Sequence, residues 1–237
     1  MINELKKLMN EGGVVFFGGA GVSTESGLPD FRSVDGLYSQ KYKFPPETIL
    51  SHQFFFNHTS DFFEFYREKL VMPHVLPNDA HKALAQLEQE GKLTAVVTQN
   101  IDNLHQEAGS KNVFELHGSI HRNYCIQCGK FFGIEKIRQE NIPTCECGGI
   151  VKPDVVLFDE SLNDKVIEGA VNAIAKAKTL IVGGTSLGVY PAAGLLRFFK
   201  KGKIVLINKT ETPLDCSADL VFHESIGNVF RKVCTIC

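Results

Sequence analysis

The stretch VVFFGGAGVSTESGLPDFRS, residues 14–33, decides the fold of this chain. Its first four residues form a continuous apolar run, which is typical of a parallel strand buried on both faces. Three glycines follow within four residues. Glycine permits a tight turn from strand to helix and a close approach of backbone N–H groups to a diphosphate. An ordinary glycine turn is the alternative, but Phe31 and Arg32 on the loop that follows favour a lid over a bound ligand.

Later apolar runs have the same character as this first strand. They occupy residues 94–98, 179–184 and 203–208. A helical pattern over residues 81–91 lies between the first strand and the run at 94–98, and it closes on Gly91 as a C-cap. Buried strands that alternate with helices predict an α/β fold with a doubly wound parallel sheet.

Two segments interrupt this alternation. Residues 44–76 contain a phenylalanine-rich, helix-like stretch bounded by prolines, and residues 121–150 carry two cysteine pairs with little periodicity. We expect both to be insertions that form a smaller domain. The expected division is a large domain of residues 1–36, 78–120 and 151–237, with a helical insert at 37–77 and a metal-binding insert at 121–150.

Charge and composition exclude several classes of protein. Lysine and arginine total 25 against 27 aspartates and glutamates, so the formal net charge is −2. Proteins that clamp nucleic acid through its phosphates usually carry a basic excess, so we expect no direct nucleic-acid partner. No segment resembles a membrane span or a secretory signal. Seven cysteines without an export signal indicate reduced thiols or metal ligands and a cytoplasmic location.

Four of these cysteines have the spacing of a metal site. CIQCG at 125–129 and CECGG at 145–149 place two thiols in each pair, and a glycine after each pair allows the positive φ of a metal knuckle. Four thiolates select zinc and form a closed, structural site, predicted here on Cys125, Cys128, Cys145 and Cys147. The second pair has a single intervening residue, which requires a tighter turn. Cys234 and Cys237 are interpreted as tail thiols.

Polar side chains cluster after the second predicted strand. Gln99, Asn100 and Asp102 follow it directly, where parallel sheets bind their ligands. Capping of the next helix explains one of them but not the set. His117 also ends a short apolar run, and histidine is the natural general base near neutral pH. The other histidines are predicted to be structural or without a role, with His121 left ambiguous.

Taken in order, the motifs GGAGVSTESGLPDFRS, TQNIDNLHQEAG, ELHG, the cysteine pairs, KPDVVLFDE, GGTSLGVYPA and LINK resemble the sirtuin family of NAD-dependent protein deacylases. The resemblance runs from about Val14 to the C-terminal helix. It implies a Rossmann-like domain and a small zinc-binding and helical domain that enclose NAD and an acylated lysine. NAD is then a co-substrate, and acetyl-lysine proteins or peptides are the expected partners.

The resemblance also implies the roles of individual residues. His117 and Asn100 are the expected catalytic residues, and Val156, Phe158 and Val189 the expected lining of the acyl-lysine channel. The implied NAD contacts are Ala20, Thr24, Phe31, Arg32, Gln99, Ile101, Asp102, His117, Thr185, Ser186, Asn208, Lys209 and Ile226.

The implied chemistry transfers an acyl group from lysine to ADP-ribose. The acyl oxygen attacks C1′ of the nicotinamide ribose and expels nicotinamide, and His117 acts as general base on a ribose hydroxyl. Hydrolysis then releases free lysine and O-acyl-ADP-ribose. The peptide is expected to add as a strand between residues 159–162 and 188–189. This chain departs from the family at Asp159, where glycine is usual.

Sirtuins that prefer succinyl or malonyl groups share a Tyr-x-x-Arg pair. In this chain we interpret Phe63 and Tyr66 as the residues at the corresponding positions. A buried carboxylate without a guanidinium partner is disfavoured, so we expect uncharged acyl groups to be preferred. The alternatives are an ADP-ribosyltransferase and a deacylase for longer uncharged acyl groups. A nucleic-acid-binding zinc ribbon is a poor alternative, because residues 121–152 are nearly neutral and lack a stacking pattern. A monomer is expected.

Overall fold

The computed structural model describes residues 1–31, 36 and 42–234. Its larger sheet has six parallel strands in the order β3-β2-β1-β7-β8-β9. These strands are β1 (Val14–Gly18), β2 (Leu93–Thr98), β3 (Val113–Glu115), β7 (Thr179–Gly183), β8 (Lys203–Ile207) and β9 (Leu220–Phe222). The predicted α/β class and doubly wound parallel sheet are confirmed.

Helices cover both faces of this sheet. One face packs against α1 (Ile2–Asn10), α5 (Asp79–Gln89) and α9 (Ile226–Val233), and the other against α8 (Asp164–Lys176) and a 3-10 helix at Ala192–Phe198. Strands in the centre of the sheet therefore bury side chains on both faces: in β1 the successive residues Phe16 and Phe17 enter opposite cores, and both are fully buried. The short α6 (Leu104–Glu107) follows β2.

A second, antiparallel sheet has the order β5-β4-β6. Its strands are β4 (Gly118–Cys125), β5 (Phe131–Phe132) and β6 (Val151–Val155), with α7 (Ile134–Gln139) between the last two. We call residues 118–155 the cysteine module. The sheet takes in residues on both sides of the expected insert at 121–150.

The phenylalanine-rich segment forms three helices, α2 (Pro46–Ile49), α3 (His52–Asn57) and α4 (Thr59–Lys69). Their aromatic side chains share one apolar core with the cysteine module. This core contains Phe54, Phe55, Phe62, Phe63, Phe65 and Tyr66 together with Cys125, Ile134, Ile137, Cys145 and Val151. The two segments that interrupt the strand–helix alternation therefore pack against each other.

The first glycine turn does not lead directly into an α-helix. Two 3-10 turns, Ala20–Val22 and Thr24–Ser26, follow instead. Gly27 ends the second turn with a φ of 91°, and two glycines together with serine and threonine are poor helix formers. Among the described residues no helix is long and apolar enough to cross a membrane.

Candidate active site

The floor of the site is made by two glycine turns, at the carboxyl ends of β1 and β7. The amide of Gly21 donates to the carbonyl of Gly184 at 2.8 Å. A Cβ on Gly21 would lie 2.8 Å from the Gly184 Cα atom, so only glycine permits this approach. The result is a backbone-lined edge at the ends of adjacent strands, where parallel sheets bind their ligands. The site thus fits the diphosphate that the glycine motif predicts.

Polar side chains tie this floor to the neighbouring strand ends. Gln99, after β2, donates through Nε2 to Thr185 Oγ1 at 3.1 Å and to the Gly18 carbonyl at 3.4 Å. Asn208, after β8, donates through Nδ2 to the Thr210 carbonyl at 2.8 Å. Residues that follow β1, β2, β7 and β8 therefore meet at one edge of the sheet.

A buried network centred on Ser23 holds Asp102. The Ser23 hydroxyl donates to Asp102 Oδ2 at 2.6 Å and accepts from Asn100 Nδ2 at 3.0 Å. Asp102 Oδ1 accepts the amide of Leu104 at 3.0 Å. Burial raises the pKa of Asp102, although these hydrogen bonds oppose the shift. Sequence reasoning missed Ser23, which lies inside the first motif but has no distinguishing spacing.

His81 is a second residue that sequence reasoning left without a role in the site. Its Nδ1 accepts the amide of Asn78 at 3.2 Å, so the ring proton is on Nε2, which faces Ser23 Oγ at 3.5 Å. The ring of His105 stacks edge-on at 4.7 Å, and neither of its nitrogens has a hydrogen-bond partner. Burial lowers the pKa of His81 to about 4 and that of His105 well below its usual range. Both rings are therefore neutral at pH 7.

His117 lies between the two sheets, directly before β4. Its Nδ1 faces the carbonyl of Gln99 at 2.9 Å, and because a carbonyl only accepts, Nδ1 carries the proton. Nε2 then bears a lone pair; it has no partner among the described residues and is not sealed from solvent. Burial lowers the pKa of His117, against the opposing effect of the Gln99 carbonyl. The ring is thus a neutral imidazole with one free basic nitrogen, as a general base requires.

The backbone around His117 is fixed from both sides. The Leu116 amide donates to the Thr98 carbonyl at 2.9 Å, and the Val156 amide donates to the His117 carbonyl at 2.9 Å. Arg122 bridges Glu115, at 2.6 Å, and Asp154, at 2.7 Å. This arginine joins the end of β3 to the cysteine module. The sequence spacing of Glu115, Arg122 and Asp154 does not predict these two ion pairs.

The predicted peptide-binding segment lies next to α3. Phe158 is 41% exposed and its backbone exchanges two hydrogen bonds with the chain at Leu50 and His52. The neighbouring Asp159 has a φ of 72°, a conformation that favours glycine but that aspartate tolerates. This left-handed geometry explains how an acidic residue fits where the sirtuins usually have glycine.

Glu160 anchors the same segment. It accepts from the Leu157 amide at 2.9 Å, from His52 Nδ1 at 2.8 Å and from Lys152 Nζ at 3.1 Å. Burial opposes ionisation, but these donors outweigh it and lower the pKa of Glu160. The segment is thereby tied to both α3 and the cysteine module.

The interpretation that Phe63 and Tyr66 face an acyl pocket finds no support, because both are fully buried in the shared aromatic core. Arg67, one residue on, donates to the carbonyls of Glu140 and Asn141 at 2.6 and 3.0 Å. Its guanidinium is therefore engaged by the cysteine module.

The four predicted cysteines form one cluster, with all four Sγ atoms within 4.8 Å of one another. The Cys125–Cys147 and Cys128–Cys145 sulfur pairs lie 3.5 and 3.6 Å apart. A tetrahedron with zinc–sulfur bonds of about 2.3 Å has edges near 3.8 Å, so the cluster fits zinc. Gly129 and Gly148 have φ values of 73° and 84°, which confirms the predicted knuckles. His121 is not part of this cluster.

The remaining expected contacts are placed as follows. Ala20 and Thr24 lie in the 3-10 turns after the floor, and the side chain of Ile226 packs on the backbone of Gly183. Ser186 and Lys209 are exposed, and Val189 is half-buried. Ile101 and Phe31 are partly buried against the shared aromatic core. Arg32 lies outside the described residues.

Comparison with known proteins places this site in a family. The sequence profile of the Sir2 family matches residues 19–191. A protein of Clostridium acetobutylicum named NAD-dependent protein deacetylase is 62% identical over 238 residues, which cover 98% of this chain and 97% of that protein. A protein of Clostridium perfringens with the same name is 59% identical, with 98% of each chain covered.

Solved structures agree with this assignment. A Sir2 variant with a deacetylated p53 peptide and 3'-O-acetyl-ADP-ribose superimposes with a TM-score of 0.90 at 38% identity, covering 98% of this chain and 96% of that one. A Sir2 complex with p53 peptide and NAD+ gives 0.86 at 39% identity, covering 98% and 97%. The resemblance drawn from the sequence is confirmed: the chain belongs to the Sir2 family.

Proposed function

We propose that this protein is an NAD-dependent protein-lysine deacetylase that transfers the acyl group to ADP-ribose and releases nicotinamide. The observation that carries the proposal is His117, whose Nδ1 is tied to the Gln99 carbonyl at 2.9 Å while Nε2 stays free. The test is incubation with NAD and an acetyl-lysine peptide, followed by mass spectrometry. Free lysine, nicotinamide and O-acetyl-ADP-ribose are expected together.

The chain's own residues provide the binding and proton-transfer functions. The backbone of the two glycine turns would hold a diphosphate, and Gln99, Thr185, Ser186, Asn208, Lys209 and Ile226 would hold the sugars and base around it. When bound, NAD supplies an electrophilic ribose carbon and a neutral leaving group, nicotinamide. His117 Nε2 would take a proton from a sugar hydroxyl, since the lowered pKa leaves the ring neutral at pH 7.

Asp102 and Asn100 would orient the reacting end of the ligand. The Ser23 hydroxyl fixes Asp102 Oδ2 at 2.6 Å and Asn100 Nδ2 at 3.0 Å, so neither side chain can rotate without breaking a buried contact. A carboxylate in a buried site is a strong acceptor for an amide N–H. We infer that Asp102 accepts from the carboxamide of nicotinamide, with Ile101 beside it, and that Ala20, Thr24, Phe31 and Arg32 cover the same ligand.

We infer that the acylated lysine enters beside His117 between Val156, Phe158 and Val189. Uncharged acyl groups are the proposed substrates, because Arg67 is occupied by two backbone carbonyls and a buried acyl carboxylate would lack a guanidinium. A panel of acetyl-, propionyl- and succinyl-lysine peptides tests this, and faster turnover of the succinyl peptide would overturn it.

Protein ADP-ribosylation is a second candidate, since it needs the same NAD pocket with a different acceptor. A protein adduct in place of O-acetyl-ADP-ribose would identify it by mass.

We further propose that residues 37–77 and 121–150 form the small domain, and that one structural zinc is held by Cys125, Cys128, Cys145 and Cys147. The protein is proposed to be a cytoplasmic monomer that binds no nucleic acid. Light scattering tests the oligomeric state, cell fractionation tests the location, and a gel-shift assay tests the absence of nucleic-acid binding.

A further inference from the structure

His223 is a half-exposed histidine that follows β9 and has two partners. Its Nδ1 lies 3.1 Å from the backbone carbonyl of Asn208, the residue that follows β8. Its Nε2 lies 3.0 Å from Asp215 Oδ2, in the 3-10 turn at Asp215–Ser217. The ring therefore links two strand ends to the loop between them.

Both partners of this ring are acceptors. A carbonyl oxygen and an ionised carboxylate cannot donate, so both contacts are hydrogen bonds only when both ring nitrogens carry protons. Asp215 is held as a carboxylate, because the amide of Thr212, at 2.7 Å, and its hydroxyl, at 2.9 Å, together with His223 lower the pKa of Asp215. The arrangement is thus complete with His223 as an imidazolium.

The loop that His223 closes presents Asn208 to the candidate site. The Asn208 amide donates to the Phe222 carbonyl at 3.0 Å, and its Nδ2 donates to the Thr210 carbonyl at 2.8 Å and to Thr210 Oγ1 at 3.2 Å. Its Oδ1 accepts no hydrogen bond from the described residues and is not sealed from solvent. The side chain is therefore fixed with one acceptor left for a ligand.

We propose that His223 is a positioning residue for the adenosine end of NAD, acting through the Asn208 carbonyl and the loop to Asp215. The inference rests on the proposed function, because it takes Asn208 as an NAD contact. Among the described residues His223 makes no hydrogen bond or ion pair with the glycine floor or with the peptide segment. Its loss should therefore weaken nucleotide binding while leaving the affinity for the acetyl peptide unchanged.

The charges around this ring are few. Asp215 is the only carboxylate within 4.0 Å of a ring nitrogen of His223 among the described residues. The next residue, Glu224, is paired with Lys232 of α9 at 2.6 Å, and the exposed Lys209 follows Asn208. The position of His223 therefore depends on its contacts with Asp215 and with the Asn208 carbonyl.

Three variants separate the two contacts. His223→Asn keeps a donor near the Nδ1 position, His223→Gln keeps one near the Nε2 position, and His223→Phe removes both. The measurement is calorimetric binding of ADP-ribose to the zinc-loaded full chain, with KM values for NAD and for an acetyl peptide. His58→Gln is the matched control, since His58 also faces a carboxylate, Asp61, at 3.7 Å on the helical segment.

We expect His223→Phe to raise the Kd for ADP-ribose about tenfold and to leave the KM for the peptide unchanged. His223→Asn should lose less affinity than His223→Gln, because it keeps a donor near the Asn208 carbonyl. An ADP-ribose affinity equal to that of the wild type in all three variants would overturn the inference. Equal rises in both KM values would also overturn it.

The two proposals fail in different ways. Absence of nicotinamide release by the wild type would refute the deacetylase, whereas an active wild type with unaltered nucleotide affinity in the variants would refute only the role of His223. Thermal melting checks the fold of each variant. If His223→Phe does not fold, the difference between the Asn and Gln variants still decides the question.

Discussion

In the six-stranded sheet, β1 and β7 are buried along their whole length, whereas β5 of the cysteine module has two residues and leaves Phe131 56% exposed. Tyr124 and Ile126 of the module are also exposed, at 38% and 48%. The large sheet is thus stabilised by apolar cores on both faces, and the strand ends are free to carry a buried polar network. In the module, Cys125 and Cys145 are buried in the shared aromatic core, whereas Cys128 and Cys147 are exposed.

The difference shows how each region maintains its geometry. In the large sheet, apolar burial stabilises the fold, and hydrogen bonds such as Ser23–Asp102 orient the functional groups. In the module, the chain near the cysteines is held by tight turns, by the shared aromatic core and, we infer, by zinc. Changes in the first region should therefore alter chemistry with the fold intact, and changes in the second should alter the fold.

The largest expected effect comes from His117→Ala, which removes the free basic nitrogen. We expect kcat to fall by about 10² to 10⁴-fold, the usual contribution of a general base. Melting temperature and zinc content should stay near those of the wild type. His121→Ala is the control, because His121 lies on β4 and only approaches Glu107 at 4.0 Å. Turnover by His117→Ala at half the wild-type rate would contradict the assignment of the base.

Cys145→Ser tests the other region. Cys145 is buried, so loss of its thiolate should abolish zinc binding and expose β4–β6 while the six-stranded sheet stays folded. Metal analysis and hydrogen exchange of the two sheets measure this. Cys216→Ser is the matched control, since Cys216 is exposed and far from the cluster in sequence. Undiminished protection of β4–β6 in a verified metal-free protein would contradict a structural metal.

Acid should destabilise the large-sheet region through its buried histidines. The pKa of His81 is about 4 in the folded protein, below the unfolded value of about 6.5, so the unfolded chain binds more protons between these values. The free energy of unfolding should therefore fall as pH drops through this window, by about 3 kcal/mol at its acid end. Denaturant titrations of the wild type and of His81→Gln measure the slope. An unchanged slope in the variant would refute the assignment to His81.

The smallest expected effect is at Asp159, whose φ is 72°. Asp159→Ala should cost about 1 kcal/mol of unfolding free energy, because alanine has no local hydrogen bond to offset the left-handed conformation. Asp159→Gly and Asp159→Asn should stay within about 0.5 kcal/mol of the wild type, because both residues tolerate positive φ. Denaturant unfolding distinguishes these outcomes. If Asp159→Ala had the same free energy of unfolding as the wild type, the segment would have to relax to another backbone conformation.

The sequence was sufficient for features that depend on local pattern. Continuous apolar runs predict buried parallel strands because such strands face a core on both sides, and paired cysteines followed by glycine predict the knuckles and their positive φ values. The polar residues after the second predicted strand, Gln99, Asn100 and Asp102, also indicated the position of the site. These signals lie within a few residues of one another, so they can be read without knowledge of the fold.

Other features depend on contacts between distant segments. Ser23 meets His81 and Asp102 across 58 and 79 residues, and Arg122 reaches Glu115 and Asp154 from two different strands. No periodicity encodes these partners. Phe63 and Tyr66 were misplaced for a related reason, since helical spacing alone does not say whether an aromatic face meets a cleft or a core.

The contact between Gly21 and Gly184 has a consequence for redesign of the site. At each position the backbone of the other turn leaves no room for a methyl group. A Cβ on Gly21 would lie 2.8 Å from the Gly184 Cα atom, and a Cβ on Gly184 would lie 2.4 Å from the Val22 amide nitrogen. No single replacement at either position can be accommodated, and replacing both adds to the crowding. Engineering for altered ligands should therefore treat these two turns as invariant and place diversity in the side chains around them.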